Sequence, residues 1–185
     1  MTRIIGGSAG GRHLLVPPGR STRPTSDRAR EGLFNTLSTR LDLTGARFAD
    51  LFAGTGAVGL EALSRGASHA LLVDRDVAAV RALRRNVAAL GLAGAEVVQA
   101  AVARVVQNTP GNPYDVIFLD PPYAMSDDEL GGVLANVRTA DWLTADGVCV
   151  VERSHRSAPV AWPEGMCALR DRRYGEGVLW YGIRS

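Results

Sequence analysis

The chain has 185 residues, of which 46% are hydrophobic and 22% are charged, which is the composition of an ordinary globular protein. Its length suits one α/β domain with a small appendage and excludes two full domains. No apolar run approaches the roughly 18 residues of a membrane helix, and the first residues lack the apolar centre of a signal peptide, so we expect a cytoplasmic protein with no membrane partner.

The net charge of +2 is unevenly distributed along the chain. Residues 1–30 hold six arginines and one acid, a net charge of +5, which leaves −3 for the rest. A block of arginines indicates contact with an anionic partner, although a solvated surface arm would have the same composition. The arginines predicted to make this contact are Arg3, Arg12, Arg20, Arg23, Arg28 and Arg30.

The N-terminal segment predicts a short β-hairpin of residues 3–5 and 12–16, joined by a glycine-rich turn. A polar linker follows, and Thr25 or Ser26 can cap a helix that runs to about residue 40. We therefore divide the chain into residues 1–24, the hairpin and linker, and residues 25–185, the main domain.

Strands and helices alternate through the main domain, with predicted strands at 48–52, 70–74, 95–100, 115–120 and 147–152. The chain ends differently, in strands 166–174 and 177–183 joined by Gly175 and Glu176, which predicts a hairpin. The pattern predicts an α/β fold whose mostly parallel sheet has helices on both faces and ends in an antiparallel hairpin.

A glycine-rich loop follows the first strand of the predicted sheet. Gly54, Gly56 and Gly59 match G-x-G-x-x-G, and Asp74 ends the next strand. Such a loop suits NAD, FAD and S-adenosylmethionine alike, or serves only tight packing of helix on strand. Asp50, just before the loop, would repel a pyrophosphate but can accept a hydrogen bond from an ammonium group. Asp74 can accept hydrogen bonds from ribose hydroxyls, so the two acids favour S-adenosylmethionine.

The stretch Asp115-Val-Ile-Phe-Leu-Asp120 predicts a fully buried central strand. The strand must end at Asp120, because Pro121 and Pro122 cannot donate to a sheet ladder. Ligands of open α/β sheets bind at that edge. Asp120 could instead cap a turn while Tyr123 fills the rim of the core, but a Pro-Pro pair is stiffer than a turn requires.

Five segments together resemble the RsmD family of bacterial 16S ribosomal RNA guanine-N2 methyltransferases. They are residues 3–12, 17–28, 50–56, 59–67 and the Asp120-Pro-Pro-Tyr123 tetrapeptide. The resemblance covers nearly the whole chain and implies a class I methyltransferase fold with a seven-stranded sheet. It further implies S-adenosylmethionine as cofactor, an N-terminal arm that contacts RNA, and 16S ribosomal RNA within a small-subunit particle as substrate. We expect a monomer and no metal.

The resemblance also implies the site residues. The catalytic set is Asp120, Pro121, Pro122 and Tyr123. The cofactor-binding set is Asp50, Phe52, Gly54, Thr55, Gly56, Asp74, Arg75, Ala101 and Asp120. Relatives carry Asp or Asn after the third sheet strand, whereas this chain reads Gln99-Ala-Ala-Val102, so we expect backbone groups and apolar packing to recognise the adenine.

The tetrapeptide suits methylation of an exocyclic amine. The guanine amine donates its lone pair into the ring, so an enzyme must favour the pyramidal form of the nitrogen. The Asp120 carboxylate and the Pro121 carbonyl are candidate acceptors for its two N–H groups, and Tyr123 can stack on the base.

Three alternatives remain open from the residues. The acceptor could be an adenine amine in DNA or RNA, or a protein glutamine, although enzymes of those kinds usually carry Asn at the position of Asp120. The chain could be a nucleotide-dependent oxidoreductase, which the Gly54 loop permits. It could also be a non-catalytic RNA-binding module, which an intact cofactor loop argues against.

Overall fold

The computed structural model describes residues 2–17 and 25–185. In chain order, the elements of these residues are β1 (Thr2–Arg3), β2 (His13–Leu14), α1 (Asp27–Leu37), β3 (Arg47–Asp50), α2 (Ala57–Ser64), β4 (His69–Asp74), α3 (Val77–Leu90), β5 (Ala95–Gln99), α4 (Val102–Val105), β6 (Tyr114–Leu119), α5 (Asp127–Thr139), β7 (Leu143–Ser154), β8 (Met166–Tyr174) and β9 (Gly177–Arg184). No helix in the described part of the chain is long and apolar enough to cross a membrane.

Seven strands form one sheet in the order β5-β4-β3-β6-β7-β9-β8. β3 pairs in parallel with β4 and β6, and the parallel pairing continues outward to β5 and β7. β9 is antiparallel to both β7 and β8. The predicted class I methyltransferase fold, mostly parallel and closed by an antiparallel hairpin, is confirmed.

The apolar run of β6 is buried on both faces of the sheet. Val116 and Phe118 belong to one hydrophobic core, and Ile117 and Leu119 belong to the other. Successive side chains of a strand point to opposite faces, so a continuous apolar run fills both cores. This central position places Asp120 at the carboxyl edge of the sheet.

The predicted helix ends are correct to within a few residues. Ser26 caps α1 by accepting from the Ala29 N–H at 3.1 Å. α1 ends at Leu37, three residues before the predicted end, and the Ser38 hydroxyl donates to the Phe34 carbonyl just beyond the helix. Side-chain hydroxyls that bond nearby carbonyls in this way compete with continued helix formation.

The N-terminal hairpin packs on α2. β1 and β2 have only two residues each, shorter than predicted, because the backbone after β1 bonds to α2 and the backbone after β2, at Leu15, bonds to Asn86 on α3. The buried Glu61 carboxylate accepts from the Ile5 and Gly6 N–H groups at 3.0 and 3.1 Å. The hairpin side chains that join the core are Ile4, Ala9 and Leu14. The predicted boundary at residue 24 lies outside the described residues.

The two cysteines differ in exposure. Both cysteines lie in apolar stretches, which predicts that both thiols are buried. Cys149 on β7 is buried, as predicted. Cys167 is exposed, because it lies on β8, the edge strand of the sheet. Both thiols are free.

We expect Glu61→Ala to lower the free energy of unfolding by about 3 kcal/mol, because it removes a buried ionic partner of Arg65 and leaves two backbone N–H groups without their acceptor. Urea unfolding measures this loss. Glu61→Gln, which keeps one acceptor oxygen, should lose less. Equal stability of Glu61→Ala and the wild type would show that the hairpin is not held through this carboxylate.

Candidate active site

A cavity of about 530 Å³ lies at the carboxyl ends of β3, β4 and β6. Three acids from these strand ends line it: Asp50, Asp74 and Asp120. The other predicted cofactor residues that line it are Phe52, Gly54, Thr55, Arg75 and Ala101. The structure therefore brings together residues predicted from four separate segments. No group of His, Cys, Asp and Glu side chains in residues 2–17 and 25–185 could hold a metal ion.

The glycines of the loop have different structural roles. A Cβ on Gly56, where φ is +82°, would lie 2.3 Å from Leu83 Cδ1, and a Cβ on Gly59 would lie 2.2 Å from Leu72 Cδ2. Gly56 and Gly59 therefore allow α2 to approach its neighbours closely. Gly56 is not among the residues that line the cavity, so this placement does not support its predicted cofactor contact. Gly54 does line it.

Asp50 is almost completely buried at the end of β3. One of its oxygens, Oδ2, accepts from the Gly59 N–H at 3.0 Å. Burial raises the pKa of this carboxyl, the charge of Asp74 adds to the shift, and the backbone N–H groups of Gly59 and Phe52 oppose it. The result is a pKa of about 7. A cation in the cavity would favour the ionised form.

Asp74 fixes the glycine loop to the end of β4. Its Oδ2 accepts from the Gly54 N–H and its Oδ1 from the Asp76 N–H, both at 2.9 Å. The loop and the carboxylate therefore form one rigid corner of the cavity wall.

The four residues of the predicted catalytic set, at the end of β6, have different environments. Asp120 and Pro122 line the cavity, and Pro121 is buried. Tyr123 is 75% exposed, so it does not fill the rim of the core. The chain turns here, with the Met125 N–H donating to the Pro122 carbonyl at 2.9 Å.

Glu152 is a site residue that the sequence prediction missed. Leu119 pairs with Val151, so Asp120 and Glu152 are the next residues on two neighbouring strands. Burial raises the pKa of Asp120 well above its ordinary value, and the charges of Glu152 and Asp50 raise it further. The pKa of Glu152 is also raised by burial, against the effect of a 2.6 Å hydrogen bond from Thr25 Oγ1.

Glu152 could have been found from its own strand. The apolar run of β7 ends in an acid, as the run of β6 does. Two parallel neighbours that end alike place two acids at one sheet edge.

The arginines predicted to bind phosphate have different environments. Arg3 is half-exposed and pairs with Asp27 at 3.2 Å, while Arg12 donates to the Ala89 carbonyl. Arg28 is exposed. Arg20 and Arg23 lie outside the described residues.

The structure does not support the prediction that Arg30 contacts phosphate. Its side chain has no exposed surface, and it donates to Asp27 and to the Arg3 carbonyl, each at 2.7 Å. Arg30 shares a helix face with Leu33, Phe34 and Leu37, which are also buried. The spacing of Arg30 from these apolar residues could therefore have predicted that Arg30 is buried, unlike the exposed arginines.

The chain matches known proteins over nearly its full length. Residues 2–183 match the family model described as Conserved hypothetical protein 95. Ribosomal RNA small subunit methyltransferase D of Escherichia coli K12 is 45% identical over 94% of this chain and 85% of its own. The putative rRNA methyltransferase YlbH of Bacillus subtilis is 39% identical over 99% of this chain and 100% of its own. The solved structure of the putative methyltransferase yhhF from Escherichia coli has a TM-score of 0.87 at 33% identity, covering 99% of this chain and 97% of that one.

We expect the stability of the ligand-free protein to fall as pH rises from about 4 to about 7, because the folded state holds the Asp50 proton more tightly than the unfolded state does. Each unit of this pKa difference is worth about 1.4 kcal/mol. Denaturant unfolding across this range measures the slope. Asp50→Asn should reduce the slope and leave the part that comes from the raised pKa values of Asp120 and Glu152. An unchanged slope would show that Asp50 is already ionised in the folded protein.

Proposed function

The chain belongs to the RsmD family, and from that premise we propose that it transfers a methyl group from S-adenosylmethionine to the exocyclic N2 amine of a guanine in 16S ribosomal RNA. The observation that carries this proposal is the arrangement at the end of β6. A carboxyl group faces the cavity, and an exposed aromatic ring follows three residues later.

Two findings support S-adenosylmethionine as the cofactor: relatives of this chain are methyltransferases, and a methyltransferase of similar fold has been solved with it bound. The donors and acceptors of the cavity fit it, because four acids and one arginine line the wall. A wall of this charge suits an ammonium group and ribose hydroxyls and disfavours a pyrophosphate. Asp50 would accept from the ammonium group, and the corner formed by Asp74 and Gly54 would hold the ribose. The cofactor supplies a methyl group bound to a sulfonium.

Asp120 would act on the amine of the target base. As a carboxylate it is purely an acceptor and can take one N–H, while the Pro121 carbonyl takes the other. Both contacts favour the pyramidal nitrogen, whose lone pair is available for in-line attack. The raised pKa of Asp120 suits it to receive the proton that the methylated nitrogen releases.

Tyr123 would hold the base through stacking. Its ring is exposed beside the cavity and would cover a base brought to Asp120. Stacking of this kind is worth about 1–3 kcal/mol. The N2 edge of guanine lies in the minor groove of a duplex, so the target must be unpaired or flipped out.

The hairpin arginines would bind the RNA backbone around that base. Arg3, Arg12 and Arg28 are the exposed members of the predicted set within the described residues. The Arg12 side chain also contacts the C-terminal end of α3. Phosphates near the target base could therefore be held from the surface that the hairpin and α3 share.

The function is tested by mapping methylated nucleosides in 16S ribosomal RNA. Small subunits from a strain that lacks the gene serve as substrate for the purified protein, and free 16S RNA is tested beside them. We expect one N2-methylguanosine per RNA. Formation of N6-methyladenosine, or methylation of a protein, would contradict the proposal.

We expect Asp120→Ala to lower the single-turnover rate at least about 10²-fold, because an acceptor needed mainly in the transition state is lost. RNA affinity should stay within about twofold. Tyr123→Ala should lower both rate and affinity, and Tyr123→Phe should restore both. A wild-type rate for Asp120→Ala would show that Asp120 only ends the strand and takes no part in the reaction.

The rate should rise with pH as Asp120 ionises, and Glu152→Gln should move this rise to lower pH, because one of the charges that opposes ionisation is removed. The shift is read from single-turnover rates measured between about pH 5 and pH 9. Thr25→Val, which removes the hydrogen bond to Glu152, is a companion variant. An unmoved profile in Glu152→Gln would show that Glu152 does not influence the reacting carboxyl.

A further inference from the structure

The loop after β6, residues 121–126, has few contacts that hold it in place. Apart from Pro121 and the partly buried Met125, its residues are exposed. At its far end Ser126 forms a capping box with Glu129. A loop this exposed needs a further contact to keep Asp120 and Tyr123 in one geometry.

Arg153 on β7 supplies such a contact. Its Nη1 and Nη2 each donate to the Met125 carbonyl at 3.3 Å, and Nη2 also donates to Asp127 Oδ1 at 2.9 Å. The side chain is only 9% exposed. Burying a guanidinium is costly unless its hydrogen bonds and charge are matched. Nε is buried with no hydrogen-bond partner among the described residues, so the contacts of Nη1 and Nη2 with the loop and Asp127 are what offset this cost.

The planar fork of the guanidinium explains why arginine suits this position. Its two terminal nitrogens reach a backbone carbonyl and a carboxylate in one fixed orientation. Those acceptors lie on either side of Ser126, the residue that caps α5. Arg153 thereby joins the end of the loop and the start of the helix to a central strand of the sheet.

We propose that Arg153 is a positioning residue that fixes the loop after β6, so that Asp120 and Tyr123 meet the target base in the geometry of methyl transfer. The proposal rests on the function proposed above. Glu152 and Arg153 are neighbours on one strand and point to opposite faces. One contacts Thr25 and the other contacts the loop, so β7 acts on the site from both faces of the sheet.

A small displacement of the loop would slow catalysis, because methyl transfer depends on the distance between the reacting groups. A displacement of about 1 Å at the reacting groups can cost about 10²-fold in rate. Loss of Arg153 frees the loop without removing any group that touches the cofactor. The rate of transfer should therefore fall while the affinity for S-adenosylmethionine is kept.

The test compares Arg153→Met and Arg153→Lys with a matched control, Arg138→Met. Arg138 also joins a backbone carbonyl and a carboxylate, donating to Gly165 O at 3.1 Å and pairing with Asp141 at 3.7 Å, but it lies at the other end of α5. We expect Arg153→Met to lower the single-turnover rate about 10- to 100-fold at saturating cofactor and RNA. Its cofactor affinity should stay within twofold, Arg153→Lys should be intermediate, and Arg138→Met should keep its rate. Urea unfolding compares the stabilities of the three variants.

Hydrogen exchange provides a readout that does not depend on activity. The N–H groups of Met125 and Ser126 should exchange faster in Arg153→Met and at the wild-type rate in Arg138→Met. Unchanged exchange in Arg153→Met, or a fall in rate no larger than that of Arg138→Met, would overturn the proposal. If the wild-type protein methylates no guanine, the proposed function fails, and exchange still decides whether Arg153 fixes the loop.

Discussion

The structure depends on the close approach of α2 to the sheet. All eight residues of α2 are buried, because β3 and β4 lie on one side of the helix and the N-terminal hairpin lies on another. Gly59 allows this approach, and its N–H bonds to the Asp50 carboxylate. Burial of the Asp50 carboxyl group makes it hard to ionise, and the Gly59 N–H offsets part of this effect. α2 therefore contacts both Asp50 in the cavity wall and the hairpin proposed to bind RNA.

The chemistry of the site follows from strand ends. Parallel strands bring their carboxyl ends to one edge. Here Asp50 and Asp74 end β3 and β4, Asp120 directly follows β6, and Glu152 lies beside Asp120 on β7. Crowded carboxylates repel one another and retain protons. A sulfonium and an ammonium group on one ligand would relieve that repulsion, whereas a phosphate would increase it. The charge of the edge thus favours the same cofactor that the family indicates.

Much of the fold could be predicted because apolar runs and turn residues are local signals. The buried run of β6, the prolines after it and the terminal hairpin all appear where the pattern indicates. The hairpin strands were predicted too long, because the competing acceptor, the Glu61 carboxylate, is more than fifty residues away. Arg30 was misjudged because charge counting ignores which helix face a residue occupies. Glu152 lies outside any motif. The contacts of Arg153 depend on the register between β6 and β7, which could not be predicted from the sequence.

The burial of α2 on all sides has a consequence for how such proteins can be recombined. An arm that binds nucleic acid is often imagined as a detachable module, to be moved between enzymes to change their target. Here the hairpin covers a helix that carries a buried acid, so its removal would expose apolar surface and leave that acid without backbone partners. A functional chimaera would have to transfer α2 with the hairpin, and with α2 the Gly59 N–H that bonds to Asp50 in the cavity wall. The segment proposed to bind the target and the residues proposed to bind the methyl donor would therefore be inherited together.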